Sequence, residues 1–358
     1  MSVTRNPSNT KGTPVEASPA AAEVSGQAAG SATRVTLASA EAARVRPQRS
    51  LWGNAWRQFR RHKLAMAGMI VFVFFVLACF IGPLVYTEAY FSPFKYPTSL
   101  GVASSESILN LQTGEEESKF FFFGTDSMGQ DMLARIFFGG RVSLSVGIVA
   151  AFIAIGMGTA IGAAAGFYGG VVDSILMRIT DLFISLPTLP LLLLITFLFR
   201  ESIVNWADDV LGAGQLGTFI LIVGVIAVLA WMPTARLVRA SFLSMKEKEF
   251  VEAARSIGAR EHTLILKHIL PNVMSPIIVA ATLEVGSAII TESSLSFLGL
   301  GFPYDVPTWG AMLYNAKDLL QFSPHEAVVP GTMIFLTVLS INFIGDGLRD
   351  ALDPRKSH

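Results

Sequence analysis

The sequence predicts an all-α, polytopic membrane protein with six transmembrane helices. Three observations carry this expectation. Of 358 residues, 52% are hydrophobic and only 15% are charged, against about 25% charged in soluble domains. The apolar residues gather into six runs near the ~20 residues that a helix needs to cross a bilayer. Basic and acidic residues also alternate between successive connections, as they do in proteins oriented by the positive-inside rule.

Residues 1–50 are rich in Ala, Ser, Thr, Pro and Gly and hold no apolar core. A disordered cytoplasmic tail is expected there, without a cleavable signal peptide. Over residues 51–63, Trp52, Trp56 and Phe59 alternate with Arg57, Arg60 and Arg61. That pattern suits a short amphipathic helix lying along the membrane interface.

The transmembrane domain is expected over residues 64–349. Its first span, residues 64–86, carries no charge. The second covers residues 142–168. The third, residues 175–199, has Arg178 and Asp181 near its start and Pro187 and Pro190 within it. The remaining spans are expected at residues 216–235, 272–290 and 328–344. Residues 87–123 form an external loop too long for a simple connection, so it should carry structure of its own. A short cytoplasmic tail, residues 350–358, closes the chain.

Orientation follows from Lys and Arg. Arg57, Arg60, Arg61 and Lys63 precede the first span. Arg236, Arg239, Lys246, Lys248, Arg255, Arg260 and Lys267 lie between the fourth and fifth, and Arg349, Arg355 and Lys356 follow the sixth. The opposite connections hold Glu115, Glu116, Glu117, Asp126, Asp131, Asp208 and Asp209. Both termini and the 243–268 loop are therefore expected in the cytoplasm, with Arg135 and Arg141 as exceptions on the outside. Formal net charge is zero, so overall balance names no partner. The single cysteine, Cys79, lies inside an apolar run; it permits no intramolecular disulfide and reads as a small core residue.

The 243–268 loop is the most organised connection. Phe250, Ala254 and Ile257 recur at i, i+4 and i+7, one apolar stripe on a helix. Gly258 permits a turn that a side chain would resist. Leu264 and Leu266 belong to a second short helix, and Pro271 suits the start of the fifth span, where a missing N–H costs little. The pattern fits a rigid knob inserted into a cytoplasmic partner, and equally an amphipathic loop lying on the membrane surface.

Two further features stand out within the spans. Gly158, Gly162, Gly166 and Gly170 recur every four residues after Ala150 and Ala154, a small-residue stripe that lets helix backbones approach closely. Glu284 lies in the fifth span, where a carboxylate is costly unless it faces a water-filled path or a polar partner. It is a candidate for the substrate path; a carboxyl hydrogen-bonded between helices is the alternative. The sequence contains no G-x-x-x-x-G-K-[ST], no H-E-x-x-H, no paired-cysteine site and no G-x-S-x-G. Catalysis by this chain is therefore not expected, no cofactor or metal site is expected in it, and nothing points to nucleic acid.

E-A-A-x-x-x-G followed by L-P resembles the cytoplasmic loop of the membrane subunits of bacterial ABC importers. Glu252, Ala253, Ala254 and Gly258 match, as do Leu270 and Pro271. His268 stands where the general motif has Ile, and H-I-L-P-N is the form expected of the peptide-importing branch. F-G-T-D-S-M-G-Q-D-M-L-A-R (123–135) resembles the same branch, with Gln130 where Arg is usual. G-F-Y-G-G-V-V-D-S-I-L-M-R-I-T-D (166–181), E-S-S-L-S-F-L-G-L-G (292–301) and N-F-I-G-D-G-L-R-D-A-L-D-P-R (342–355) are similar to its other signatures. Over about residues 52–355 the chain is identified as a member of the dipeptide/oligopeptide/nickel permease group.

The resemblance implies a type I ABC importer transmembrane fold in the bacterial inner membrane. It implies a homologous second permease subunit, two ATP-binding subunits that hold ATP and Mg, and an external substrate-binding protein. Phe250, Glu252, Ala253, Ala254, Ile257 and Gly258 would then couple to the ATPases. Peptide is the implied substrate, with nickel as the alternative within the family, since no cluster of nickel ligands is evident. Glu292 matches the 292–301 signature and is expected to make a structural hydrogen bond. The rival from another class is a self-sufficient channel or secondary transporter.

Overall fold

The computed structural model describes residues 51–109 and 116–353. The expected tail over residues 1–50 and residues 354–358 lie outside the described residues. The elements are α1 (Leu51–Arg61), α2 (Lys63–Val85), β1 (Ser104–Leu109), β2 (Glu116–Phe121), α3 (Met132–Tyr168) and α4 (Gly170–Ser185). They continue with α5 (Thr188–Leu211), α6 (Gly214–Lys246), α7 (Glu249–Ser256), α8 (Glu261–Phe297), α9 (Trp309–Ala316) and α10 (His325–Leu352). Six of these, α2, α3, α5, α6, α8 and α10, are long and apolar enough to cross a membrane.

The third span differs from the one expected. Residues 175–199 are not one helix: α4 ends at Ser185 and α5 begins at Thr188. Proline disfavours helical geometry in the residue before it, and Leu186 is extended with ψ 139°. Pro190 then falls in the first turn of α5, where an absent N–H is no loss. Arg178 and Asp181 consequently sit on α4 and not in a membrane span.

The other boundaries move outward. α3 starts at Met132 and not at residue 142, because the Asp131 carboxylate caps it, with Oδ1 accepting from Leu133 N at 2.9 Å and Ala134 N at 3.4 Å. α6 continues to Lys246, so the 243–268 loop begins inside a helix. The separate short helix expected around Leu264 is instead the first part of α8, which runs unbroken past Pro271. A π-helical turn over Leu264–Ile269 precedes the proline. Pro271 cannot donate the bond an α-helix needs at that step, and the wider turn accommodates the gap. α10 extends to Leu352, so the tail expected from residue 350 begins as helix.

The centre of the fold is the α3–α6 pair. A Cβ placed on Gly158 would lie 2.6 Å from the Trp231 carbonyl oxygen; on Gly162, 2.4 Å from that of Ala235; on Gly166, 2.8 Å from that of Arg239. Three glycines thus press directly on successive turns of the α6 backbone. Gly170 does not belong with them. It has φ +54°, with nothing within 4 Å of a Cβ, because Gly169 ends α3 and the chain turns into α4. Around this seam, Ala150, Val146, Leu221, Ile222, Ile226 and Ala235 form a buried cluster.

Between α2 and α3, residues 87–109 and 116–131 form a structured segment. β1 and β2 pair antiparallel with Glu106 opposite Lys119. Lys119 Nζ donates to Glu88 Oε2 at 2.7 Å and to the Tyr96 hydroxyl at 2.8 Å, and lies 3.5 Å from Asp131 Oδ2. Phe121 is fully buried edge-on against Tyr96. Burial alone pushes the Glu88 carboxyl up, but hydrogen bonds from Lys119, Lys95 and Tyr96 outweigh it and bring its pKa down to about 2. The two basic residues that break the charge rule are accounted for locally. Arg135 is buried, with Nη1 3.0 Å from Asp126 Oδ2, and Arg141 Nη2 donates to the Phe80 carbonyl at 3.0 Å. At the other end of the spans, Phe59 of α1 packs with Ala65, Ile344 and Ala351, and Gln58 donates to the Asp350 carbonyl at 2.9 Å.

Candidate coupling face and polar sites

α7 is a short helix with acids in its first turn, Glu249 and Glu252, and Arg255 in its last, the arrangement favoured by the helix dipole. Gly258, at φ +84°, turns the chain back so that α8 starts three residues later. The stripe expected over Phe250, Ala254 and Ile257 is divided. Val251 and Ala254 face inward, joined by Val238, Phe242, Leu264 and Ile269 in one cluster. Phe250 is 43% exposed and Ile257 87% exposed, with Glu252 and Ala253 also outward. A single helical stripe cannot hold all three because the chain leaves the helix at Ser256, carrying Ile257 away from the buried side.

The result is a helix keyed into the bundle on one side and, among the described residues, unpartnered on the other. Lys246 Nζ donates to the Phe167 carbonyl at 2.7 Å, fastening the end of α6 to the end of α3. A displacement of α7 therefore reaches α3, α6 and α8 together. Two large apolar side chains in water are unfavourable unless something covers them.

The polar residues of the spans separate into distinct groups. Glu292 is fully buried and accepts from Ser296 Oγ at 2.7 Å and Ser143 Oγ at 3.0 Å. Ser143 Oγ in turn accepts from Trp309 N at 3.3 Å, so one carboxyl ties α3, α8 and α9. Glu284, one turn pair below on α8, is half-buried and makes no hydrogen bond or ion pair among the described residues. It is not brought together with the coupling residues.

α4 is joined to α6 by two ion pairs. Arg239 forks onto Asp173, with Nη2 2.6 Å from Oδ2. Arg236 Nη2 lies 2.5 Å from Asp181 Oδ1. Asp181 thus pairs across to α6 and not with Arg178 on its own helix. Partners 55 and 66 residues apart leave no local signal in a sequence, and these contacts were not foreseeable from spacing.

Six spans around a glycine-sealed helix pair, with a keyed short helix between the fourth and fifth, define an integral-membrane transport subunit. Residues 158–358 match the family described as the binding-protein-dependent transport system inner membrane component, and residues 50–99 match the N-terminal TM domain of oligopeptide transport permease C. The chain belongs to that family of inner-membrane transport components. It is 39% identical to the oligopeptide transport system permease protein OppC of Haemophilus influenzae over 308 residues, 86% of this chain and 89% of the relative. It is also 39% identical to the glutathione transport system permease protein GsiD of Escherichia coli O6:K15:H31, over 86% of this chain and 91% of the relative. A solved chain of the inward-facing MetNI methionine ABC transporter aligns at 18% identity with a TM-score of 0.46, covering 63% of this chain and all of the other.

Proposed function

We propose that the chain is one of two permease subunits of an ATP-driven, binding-protein-dependent importer of di- and oligopeptides. The observation that carries this reading is near-full-length similarity to permeases named for oligopeptide and for glutathione, itself a tripeptide. A homologous second permease completes the translocation path. Two ATP-binding subunits, holding ATP and Mg, dock on the cytoplasmic side, and an external binding protein delivers peptide. Both termini lie in the cytoplasm.

The mechanism is alternating access. ATP moves such an equilibrium only through unequal interaction with its two states. The outward side chains of α7 and its cap, Phe250, Glu252, Ala253 and Ile257, meet the ATPase. Ala254 keys the helix inward, and Gly258 fixes its angle to α8. Glu284 faces the path and meets the peptide's polar groups.

The test is co-expression with the genes for a second permease, ATPase chains and binding protein, followed by reconstitution. Co-purification of the ATPases and ATP-dependent uptake of labelled peptide is the expected result. Transport by the lone chain in liposomes without ATP would replace this reading with a self-sufficient channel or secondary transporter. Uptake of nickel in place of peptide by the full complex would move the substrate within the family.

A further inference from the structure

A cleft among α4, α5 and α6 is not used by the coupling face. Pro187 breaks the chain between α4 and α5, and Pro233 sits inside α6. Pro233, with Ile184 and Thr188 on either side of Pro187, lines a cleft of about 450 Å³, within the ~300–1,000 Å³ of small-molecule sites. Its walls are apolar where Phe183, Ile184, Leu191 and Met232 line it. Its polar groups are few and unspent. Pro233 has no N–H to give the Leu229 carbonyl four residues earlier, and Leu229 lines the cleft. The Thr188 hydroxyl, also in the lining, makes no hydrogen bond among the described residues.

Arg236 completes the lining and holds Asp181 by a single bond. The two side chains are 49% and 60% exposed, and ion pairs of that exposure contribute only ~0–1 kcal/mol. Breaking this one to take up another pair of charges therefore costs little. The neighbouring Arg239–Asp173 fork uses two guanidinium nitrogens, its Arg239 and Asp173 side chains are 35% and 17% exposed, and it holds α4 against α6 while the outer pair opens. Opposite charges beside an apolar wall and a free carbonyl complement a zwitterionic peptide. An anionic lipid headgroup brings no ammonium, so taking Arg236 would leave the Asp181 carboxylate unanswered.

We propose that this α4–α5–α6 cleft is a peptide-contact site on the translocation path, where the Asp181–Arg236 pair is exchanged for the peptide's terminal ammonium and carboxylate. The assignment rests on the peptide-importer reading above. The Leu229 carbonyl accepts a main-chain N–H, the Thr188 hydroxyl serves either main-chain partner, and the apolar wall takes side chains without discriminating among them.

The experiment uses the full complex in proteoliposomes, nucleotide-free, with trialanine supplied on the ATPase side so that the binding protein is bypassed. A photo-crosslinking phenylalanine analogue replaces Ile184 in the cleft, or Val171, which is 75% exposed on α4 outside it. Labelled trialanine should attach at position 184 and not at 171. Capping both termini should weaken labelling ~3–10-fold, about one power of ten for each 1.4 kcal/mol. Asp181→Asn with Arg236→Gln should abolish that difference between capped and free peptide, which a merely structural ion pair would not do. Labelling of phospholipid or of the second permease at 184 with no peptide adduct overturns the site, as does equal labelling at both positions. ATP-driven uptake is measured in parallel. Uptake without a cleft adduct sinks the cleft alone, and absence of peptide uptake sinks the importer reading with it.

Discussion

Replacing Gly162 with alanine builds a Cβ 2.4 Å from the Ala235 carbonyl oxygen and 2.8 Å from Val238 Cβ. Neither neighbour is the free end of a flexible chain; the oxygen belongs to the middle of α6. α3 and α6 must part by about 0.6 Å merely to reach 3.0 Å, the shortest separation real Cβ atoms tolerate. That motion loosens the whole seam, since Gly158 and Gly166 press on the same helix. Overpacking of this kind costs ~1–3 kcal/mol. Alanine also gains helix propensity of ~1 kcal/mol over glycine, which masks part of the clash. Gly156→Ala isolates that gain, because nothing lies within 4 Å of a Cβ there. The two substitutions share their propensity term, so the difference between them is the clash, ~1–3 kcal/mol. Fluorescence-monitored size-exclusion after heating, with both variants in one detergent, reads the difference as a lower midpoint for Gly162→Ala. Gly162→Leu should not yield folded protein. A Gly162→Ala midpoint equal to or above that of Gly156→Ala would refute close backbone packing of α3 on α6.

Four other outcomes are expected. Ile257→Asp, on a side chain 87% exposed, should change stability by less than ~0.5 kcal/mol yet abolish ATPase co-purification and uptake. Val251→Asp, fully buried two turns away, should cost several-fold in folded yield because it buries an unpaired charge. Glu88 has a pKa lowered from 4.5 to about 2; its stabilisation of the β1–β2 segment is therefore complete above about pH 4.5 and disappears as pH falls toward 2. Amide protection across β1 and β2 should weaken over that window, and Glu88→Gln should remove the dependence. Glu292→Ala strands the Ser143 and Ser296 hydroxyls, at ~1–3 kcal/mol for each buried group left unsatisfied, whereas Glu292→Gln keeps an acceptor and should melt closer to the parent protein.

Much of this architecture was legible in the order of residues. The six spans, the alternation of charge and the helix-turn-helix near Glu252 depend on composition within windows of about twenty residues. Hydrophobicity acts there at short range along the chain. The three packing glycines were legible for the same reason, since a four-residue repeat lies on one helical face. The fourth, Gly170, followed the repeat but not the helix, because Gly169 had already ended it.

What the linear order could not express is pairing between distant segments. The division of α7 into an inward Val251–Ala254 side and an outward Phe250–Ile257 side depends on where α3, α6 and α8 converge. Asp181 had a plausible partner three residues away, yet the one it holds is Arg236, 55 residues on. The α4–α5–α6 cleft is lined from Phe183 to Arg236 by residues of three helices that only the fold brings together.

By itself, then, the amino-acid order determined that the chain has six membrane-spanning helices and that a short helix stands between the fourth and fifth, because burial of apolar surface acts locally along the chain and is hard to override. Tertiary structure alone decided which charges meet and where a cleft opens. Those depend on contacts between segments whose separation in sequence carries no information about their separation in space.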